Sequence, residues 1–126
     1  MDQHLAQRYE DVKLSERAVL MMCDIVSSKN EYIDVLTIFV KILGNKETRK
    51  EGITIKKLKE GIEIETNEEP KKLTRHSCTV VINFLLGTSL IYYNAISKDQ
   101  REKPYFLTSR GVQVCKKLME HKIMKI

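Results

Sequence analysis

Two short apolar segments with a charged run between them constrain the fold of this chain most. The segments "LIYYNAI" (90–96) and "KPYFLT" (103–108) alternate in polarity and are rich in aromatic and β-branched residues, which favour strands. Residues 97–103 between them are mostly charged or amide side chains. The pattern predicts a hairpin with a polar tip. Because Pro104 cannot donate a backbone hydrogen bond, we expect its strand to be an edge strand at that point.

The size and composition of the chain indicate a single globular domain over residues 1–126. Of its 126 residues, 42% are hydrophobic and 31% are charged, which excludes a disordered chain. No apolar run approaches the ~20 residues of a membrane-spanning helix. The N-terminal segment lacks the apolar core of a signal peptide, so we expect a cytoplasmic protein.

Helical periodicity dominates the sequence before the hairpin. Apolar residues recur at helical spacing over 14–28, with Ser15 and Glu16 as the start, and a more apolar helix over 31–43 is predicted to be central to the core. Gly44 is expected to end that helix. Residues 53–55 fit either a very short strand or the start of a helix that Thr54 caps.

Two further helices flank the hairpin. The acidic loop 63–69 is followed by a helix that Thr74 can cap and that Gly87 is expected to end. Its predicted buried stripe is Cys78, Val81, Ile82 and Leu85. Ser109 is expected to start the last helix. The inward-facing residues predicted for that helix are Val112, Cys115, Leu118 and Met119.

The order of these elements predicts the fold class. It is mainly α with a small β-hairpin, and a pair of short helices followed by a two-stranded ribbon over 54–107 is the outline of a winged helix-turn-helix. An added N-terminal helix and a C-terminal helix complete the domain.

Residues 73–111 resemble the DNA-binding core of the MarR family of bacterial transcriptional regulators. The matching positions are Leu85, the turn Leu86-Gly87-Thr88, the segment Ser89-Leu90-Ile91, the wing motif Asp99-Gln100-Arg101 and the closing "LT-x-x-G" of Leu107-Thr108-Ser109-Arg110-Gly111. The chain departs from the family pattern in two places. Residues 63–72 insert an acidic loop between the paired helices, and Val80 stands where the family has a polar or basic contact residue.

The resemblance implies that the helix after Thr74 enters the major groove of DNA. Arginine can form two hydrogen bonds to guanine, and asparagine can form two to adenine. The residues off the apolar stripe of this helix are Thr74, Arg75, His76, Thr79 and Asn83. Side chains of the wing, with Arg101 reaching the minor groove, are Lys98, Gln100, Arg101 and Lys103. Further expected phosphate contacts are Lys56, Lys57, Lys71 and Lys72. A solvated helix face, a charged hairpin tip and a solvated lysine face are the corresponding structural alternatives.

The distribution of charge favours an anionic partner. The formal net charge is +5, and residues 97–126 alone carry 8 basic and 3 acidic side chains. A localised positive field of this kind is typical of nucleic-acid binding. The glutamates of the acidic loop 63–69 would be repelled by phosphate, so we expect this loop to point away from the duplex.

The sequence therefore predicts a sequence-specific binder of double-stranded DNA, a transcriptional regulator and repressor, with no cofactor, no metal and no enzymatic activity. Two copies on a palindrome would double the contacts, and helices within 14–43 and 112–126 are the candidate dimerisation elements. A regulator that senses a thiol oxidant or a small-molecule effector, bound between the dimerising helices and the wings, is a further alternative, and the effector is unassigned.

Several other interpretations of the sequence stay open. The domain fits a winged-helix protein-interaction module that uses the acidic loop, and equally a plasmid or phage replication or partition protein. The helices at the two ends can simply complete a monomeric core. Cys23, Cys78 and Cys115 fall in apolar segments, which favours buried free thiols over redox sensing.

Overall fold

A computed structural model describes residues 13–44, 51–58, 75–93 and 103–125 of the chain. Over these ranges the protein is mainly helical with a small antiparallel pair of strands, which confirms the predicted fold class at this level. The elements are α1 (Glu16–Ser27), α2 (Asn30–Leu43), a helical turn over 55–58, α3 (Arg75–Gly87), β1 (Ile91–Tyr93), β2 (Tyr105–Leu107) and α4 (Ser109–Glu120). None of the helices in the described ranges is long and apolar enough to cross a bilayer.

The predicted start of α1 and the central position of α2 are both confirmed. The Ser15 hydroxyl caps α1 by accepting a hydrogen bond from the Ala18 amide at 3.2 Å. In α2, Val35, Leu36 and Phe39 are fully buried. This helix contacts α1, α3, α4 and β2, so it forms the centre of the hydrophobic core. It ends before Gly44, which keeps a right-handed conformation with φ −72°.

The last helix turns a different face inward from the one predicted. Its buried residues are Gly111, Val114, Cys115 and Leu118, at i, i+3, i+4 and i+7. Val112 is 40% exposed, and Met119 is only half-buried, so the prediction that Val112 faces inward is wrong. The cause is the packing of α4 on α1, where Cys23 donates a weak hydrogen bond to the Val114 carbonyl at 3.8 Å.

The strands pair as predicted into a two-stranded antiparallel sheet, and an isolated bridge joins Ile53 to the other side of β2. Tyr93 lies opposite Tyr105 in the β1–β2 register, and on the other side Tyr105 exchanges two backbone hydrogen bonds of 2.9 Å with Ile53. At Pro104 itself no described strand pairs with the chain, in line with the edge prediction, and the bridge to Ile53 lies one residue later, at Tyr105. Both interpretations of residues 53–55 are realised, because Thr54 also caps the following turn by accepting a hydrogen bond from the Lys57 amide at 3.1 Å.

Candidate nucleic-acid interface

The inner face of α3 anchors this helix in the core. Cys78, Val81, Ile82 and Leu85 are all buried, which confirms the stripe predicted from the sequence. On the flank of the helix, the ring of Phe84 stacks on Tyr32 of α2 with ring centroids 4.1 Å apart. These contacts fix the rotation of α3 about its own axis, and so they determine which residues face outward.

The outer face of α3 is a continuous exposed line. His76, Val80, Asn83 and Gly87 are exposed, and Thr79 beside them is half-buried. Their spacing of three to four residues places them along one side of the helix. The structure thus brings three predicted contact residues, His76, Thr79 and Asn83, onto one surface. It also adds Val80, which is 48% exposed at the centre of that line.

Helix α3 ends at Gly87 as predicted, and Ser89 makes the turn that follows it. The Ser89 amide donates to the Leu86 carbonyl, and the Leu90 amide donates to the Leu85 carbonyl, both at 3.0 Å. This is the hydrogen-bond pattern of a Schellman motif, which needs a left-handed residue just after the helix. Ser89 takes that conformation with φ 61°, whereas glycine is the usual residue there. Leu85 and Leu90 are fully buried on either side of the motif.

Four residues, Ser89, Leu90, Thr108 and Gly111, join the end of α3 to the start of α4, and we call them the Thr108 corner. The Thr108 hydroxyl donates to the Ser89 carbonyl at 2.6 Å and accepts from the Gly111 amide at 3.0 Å. The Thr108 amide donates to the Leu90 carbonyl at 3.0 Å. A Cβ atom at Gly111 would collide with the Leu90 carbonyl oxygen. The "LT-x-x-G" signature therefore holds α3 against the strands and α4.

The lysines around the helical turn 55–58 differ in their availability. Lys56 is exposed, whereas the Lys57 ammonium forms an ion pair with Glu51 at 2.8 Å. The hydrogen bond from Lys57 holds the pKa of the Glu51 carboxyl below its usual value. Lys57 would have to exchange this partner to contact a phosphate, so Lys56 is the more available of the two.

Lys103 is the predicted wing residue that the structure describes. Its ammonium lies 4.7 Å from the centroid of the Tyr93 ring, and Tyr93 packs edge-on against Tyr105. This cation–π contact holds the Lys103 ammonium at the base of the strand pair, and the Lys103 side chain remains exposed.

Several predicted contacts lie outside the described residues. They are Thr74, Lys71, Lys72, Lys98, Gln100, Arg101 and the side chain of Arg75, together with the acidic loop 63–69. Sequence reasoning also treated Val80 only as a departure from a family pattern, and it missed Ser89. The signal for Val80 was its position on the polar side of the helix, three residues from Asn83.

All three cysteines are buried free thiols, as the sequence favoured. Burial raises the pKa of Cys23, and it raises the pKa of Cys115 to about 12. Such thiols stay protonated at neutral pH, so they are poor nucleophiles. Among the described residues, no cluster of three histidine, cysteine or acidic side chains has the arrangement of a metal site.

Comparison with known proteins assigns this chain to no family. No protein-family model matches the sequence, and no curated protein sequence matches it at a significant level. The resemblance of residues 73–111 to the MarR family therefore depends on the motifs themselves.

Proposed function

We propose that the protein is a winged helix-turn-helix DNA-binding protein and acts as a transcriptional repressor, without enzymatic activity. The observation that carries the proposal is the outer face of α3. His76, Thr79 and Asn83 share one side of a helix whose other side is buried. A helix exposed in this way can enter the major groove, where imidazole, hydroxyl and amide groups form hydrogen bonds to base edges.

The arrangement of the strands supports the same fold. Ile53 precedes the helical turn 55–58 and pairs with Tyr105, while β1 follows α3 and pairs with the other side of β2. In a winged helix, a short first strand lies before the paired helices, and two later strands carry the wing. The order of elements around α3 agrees with that plan.

Val80 adds an apolar group to the proposed reading surface. The methyl group of thymine projects into the major groove and is recognised by apolar contact. Val80 lies between His76 and Asn83 on the outer face, so it would contribute discrimination for thymine next to a base pair that Asn83 contacts.

We propose a homodimer as the DNA-binding unit, with the outer face of α1 at its interface. The inner faces of α1 and α4 pack against each other within one chain, so they are occupied. Leu20, Met21 and Ile25 of α1 remain 40%, 59% and 46% exposed. Exposed apolar side chains grouped on one helix are typical of an association surface.

Selection of duplexes from a random pool, followed by a salt titration, tests the proposal. We expect enrichment of a palindromic sequence, with affinity that falls steeply as salt rises, because bound phosphates release counterions. Lys56→Ala is expected to weaken binding to all duplexes alike and to reduce the salt dependence. Lys13→Ala, a change at an exposed lysine before α1, is the matched control. A folded protein that enriches no sequence and binds no duplex in dilute buffer would disprove the function.

A further inference from the structure

A cleft lined mainly by apolar side chains lies on the side of the sheet formed by Tyr92 and Phe106. Its volume is about 400 Å³. Val40 and Leu43 line it from α2, Tyr92 and Phe106 from the strands, and Lys116 and Met119 from α4. Sites for small molecules in proteins have volumes of roughly 300–1,000 Å³ and combine apolar walls with a few polar groups. The cleft therefore has the size and the lining of a ligand site.

The walls favour an aliphatic ligand. Tyr92 and Phe106 stack on each other with centroids 5.4 Å apart, so each ring already uses one face. Most of the remaining wall is aliphatic, and Met119 is an unbranched side chain that adapts to the shape of its neighbour. A flexible hydrocarbon chain fits such a surface better than a rigid planar molecule does.

The charge of the cleft has one sign. Lys116 is exposed, and it forms no hydrogen bond or ion pair with any described residue. No acidic side chain is among the described residues that line the cleft. The neighbouring carboxylate of Glu120 is paired with Lys117 at 3.2 Å. Cys115 at the wall is a neutral thiol, because burial raises its pKa to about 12. Among the described lining residues, an anionic headgroup at Lys116 would thus meet one cation that no carboxylate neutralises.

We propose that this cleft binds a medium-chain aliphatic carboxylate, with its hydrocarbon chain along the apolar walls and its carboxylate at the Lys116 ammonium. A carboxylate supplies two acceptor oxygens for the three ammonium donors. A cleft of about 400 Å³ has room only for a short hydrocarbon chain. A protein helix with its side chains is about 10–12 Å across and needs a longer groove, so a helix does not fit. The cleft lies apart from the outer face of α3, because none of its described lining residues is on α3 and none is a predicted DNA contact.

Octanoate and 1-octanol are a matched pair of probes for the proposal. They share the same hydrocarbon chain and differ in the charge of the headgroup. Titration calorimetry on the full chain gives the affinity, and methyl NMR of Met119 reports binding inside the cleft. We expect octanoate to shift the Met119 signal and to bind more tightly than octanol. Neither measurement uses DNA, so failure here is distinct from failure of the proposed function.

Three variants decide which part of the cleft is used. Lys116→Met is expected to weaken octanoate binding about tenfold, because the carboxylate loses a hydrogen bond to a charged group, and to leave octanol binding unchanged. Lys13→Met removes an exposed lysine elsewhere and is expected to change neither affinity. Val112→Trp, at an exposed position on the wall, fills the cleft and is expected to abolish both signals while the protein stays folded.

Several results would overturn the proposal. Equal affinity for octanoate and octanol, unchanged in Lys116→Met, would disprove recognition of an anion. A folded wild-type protein in which neither probe shifts Met119 would disprove the ligand site. A Met119 signal that shifts with protein concentration, and that neither probe alters, would show that a second copy of the chain covers the cleft instead.

Discussion

Helices α1 and α3 bury one face each, but their exposed faces have opposite chemistry. The outer face of α1 presents the aliphatic and thioether side chains of Leu20, Met21 and Ile25. The outer face of α3 presents the imidazole of His76 and the amide of Asn83 around Val80. Apolar surface is stabilised by contact with other apolar surface, whereas amide and imidazole groups match the donors and acceptors of base edges. We infer that α1 associates with protein and α3 with DNA.

The two helices also differ in how they are held. The end of α3 is fixed by backbone contacts in the Thr108 corner, which leave little room for movement. Helix α1 is attached to α4 by side chains: Glu16 pairs with Lys117 at 3.0 Å, and Gln113 exchanges hydrogen bonds with Leu14. Exposed ion pairs contribute little, so packing of the buried faces supplies most of the stability of α1. A surface that reads bases needs the more rigid attachment.

Gly111→Ala is expected to have the largest effect, because it removes the backbone fit behind α3. The added Cβ would collide with the Leu90 carbonyl oxygen, which is part of the fold and not a movable side chain. We expect the free energy of unfolding in urea to fall by about 3 kcal/mol.

The control for this change is Gly87→Ala, at the last residue of α3. A Cβ there would meet nothing within 4 Å, so we expect a gain of up to about 1 kcal/mol from helix propensity. A loss of less than about 1 kcal/mol in Gly111→Ala would show that the Thr108 corner is not a rigid anchor.

The same substitution on the two outer faces separates their roles. Met21→Glu places a charge in the proposed dimer interface and is expected to weaken self-association by about 2–3 kcal/mol, measured by sedimentation. Val80→Glu is expected to leave self-association unchanged and to abolish DNA binding, because the carboxylate repels the duplex. If Met21→Glu associates like the wild type, the outer face of α1 is not the interface.

Alkaline pH tests the buried contact between α1 and α4. The pKa of Cys115 is raised from an ordinary 9.0 to about 12, so the folded state retains a proton that the unfolded chain loses above pH 9. The folded state is then disfavoured, and stability falls as pH rises from 9 towards 12, by about 1.4 kcal/mol per pH unit for this one group. Cys115→Ala is expected to remove that part of the slope. An equal slope in both proteins would contradict the assigned burial.

Ser89→Gly is expected to have the smallest effect and to stabilise the protein. Serine at φ 61° is strained, and glycine adopts this conformation freely, so we expect a gain of about 0.5–1 kcal/mol. Thr88→Gly, one residue earlier, is expected to destabilise instead, because the Thr88 hydroxyl donates to the Phe84 carbonyl at 3.0 Å. A destabilised Ser89→Gly would show that its side chain has a role beyond the turn.

The sequence predicted the helices and strands well where local patterns decide the structure. The buried stripe of α3 and the cap at Ser15 follow from helical spacing and capping chemistry. Residues 53–55 showed both a strand and a cap signal, and both are used, because Ile53 pairs with a strand that is distant in sequence.

Tertiary contacts account for what the sequence could not predict. Glycine is the residue expected to terminate a helix. The left-handed position after α3 is nevertheless taken by Ser89, because the burial of Leu90 in the core determines where the Schellman motif forms. Val112 and Val114 have equal hydrophobicity, and only the packing of α4 on α1 decides that Val114 is buried. Within the candidate site, the helix face could be predicted, and with it the exposed position of Val80, whereas the pairing of Lys57 with Glu51 could not.

The central claim is that Asn83 on the outer face of α3 contacts a base, and a base-substitution series on the selected duplex tests it most directly. The affinities of wild type and Asn83→Ala are measured for every single base-pair change, with Asn30→Ala at the exposed start of α2 as the control. We predict that Asn83→Ala loses about 1–3 kcal/mol of discrimination at one base pair in each half-site and keeps it elsewhere. Discrimination by Asn83→Ala that equals that of the wild type at every base pair would contradict the account.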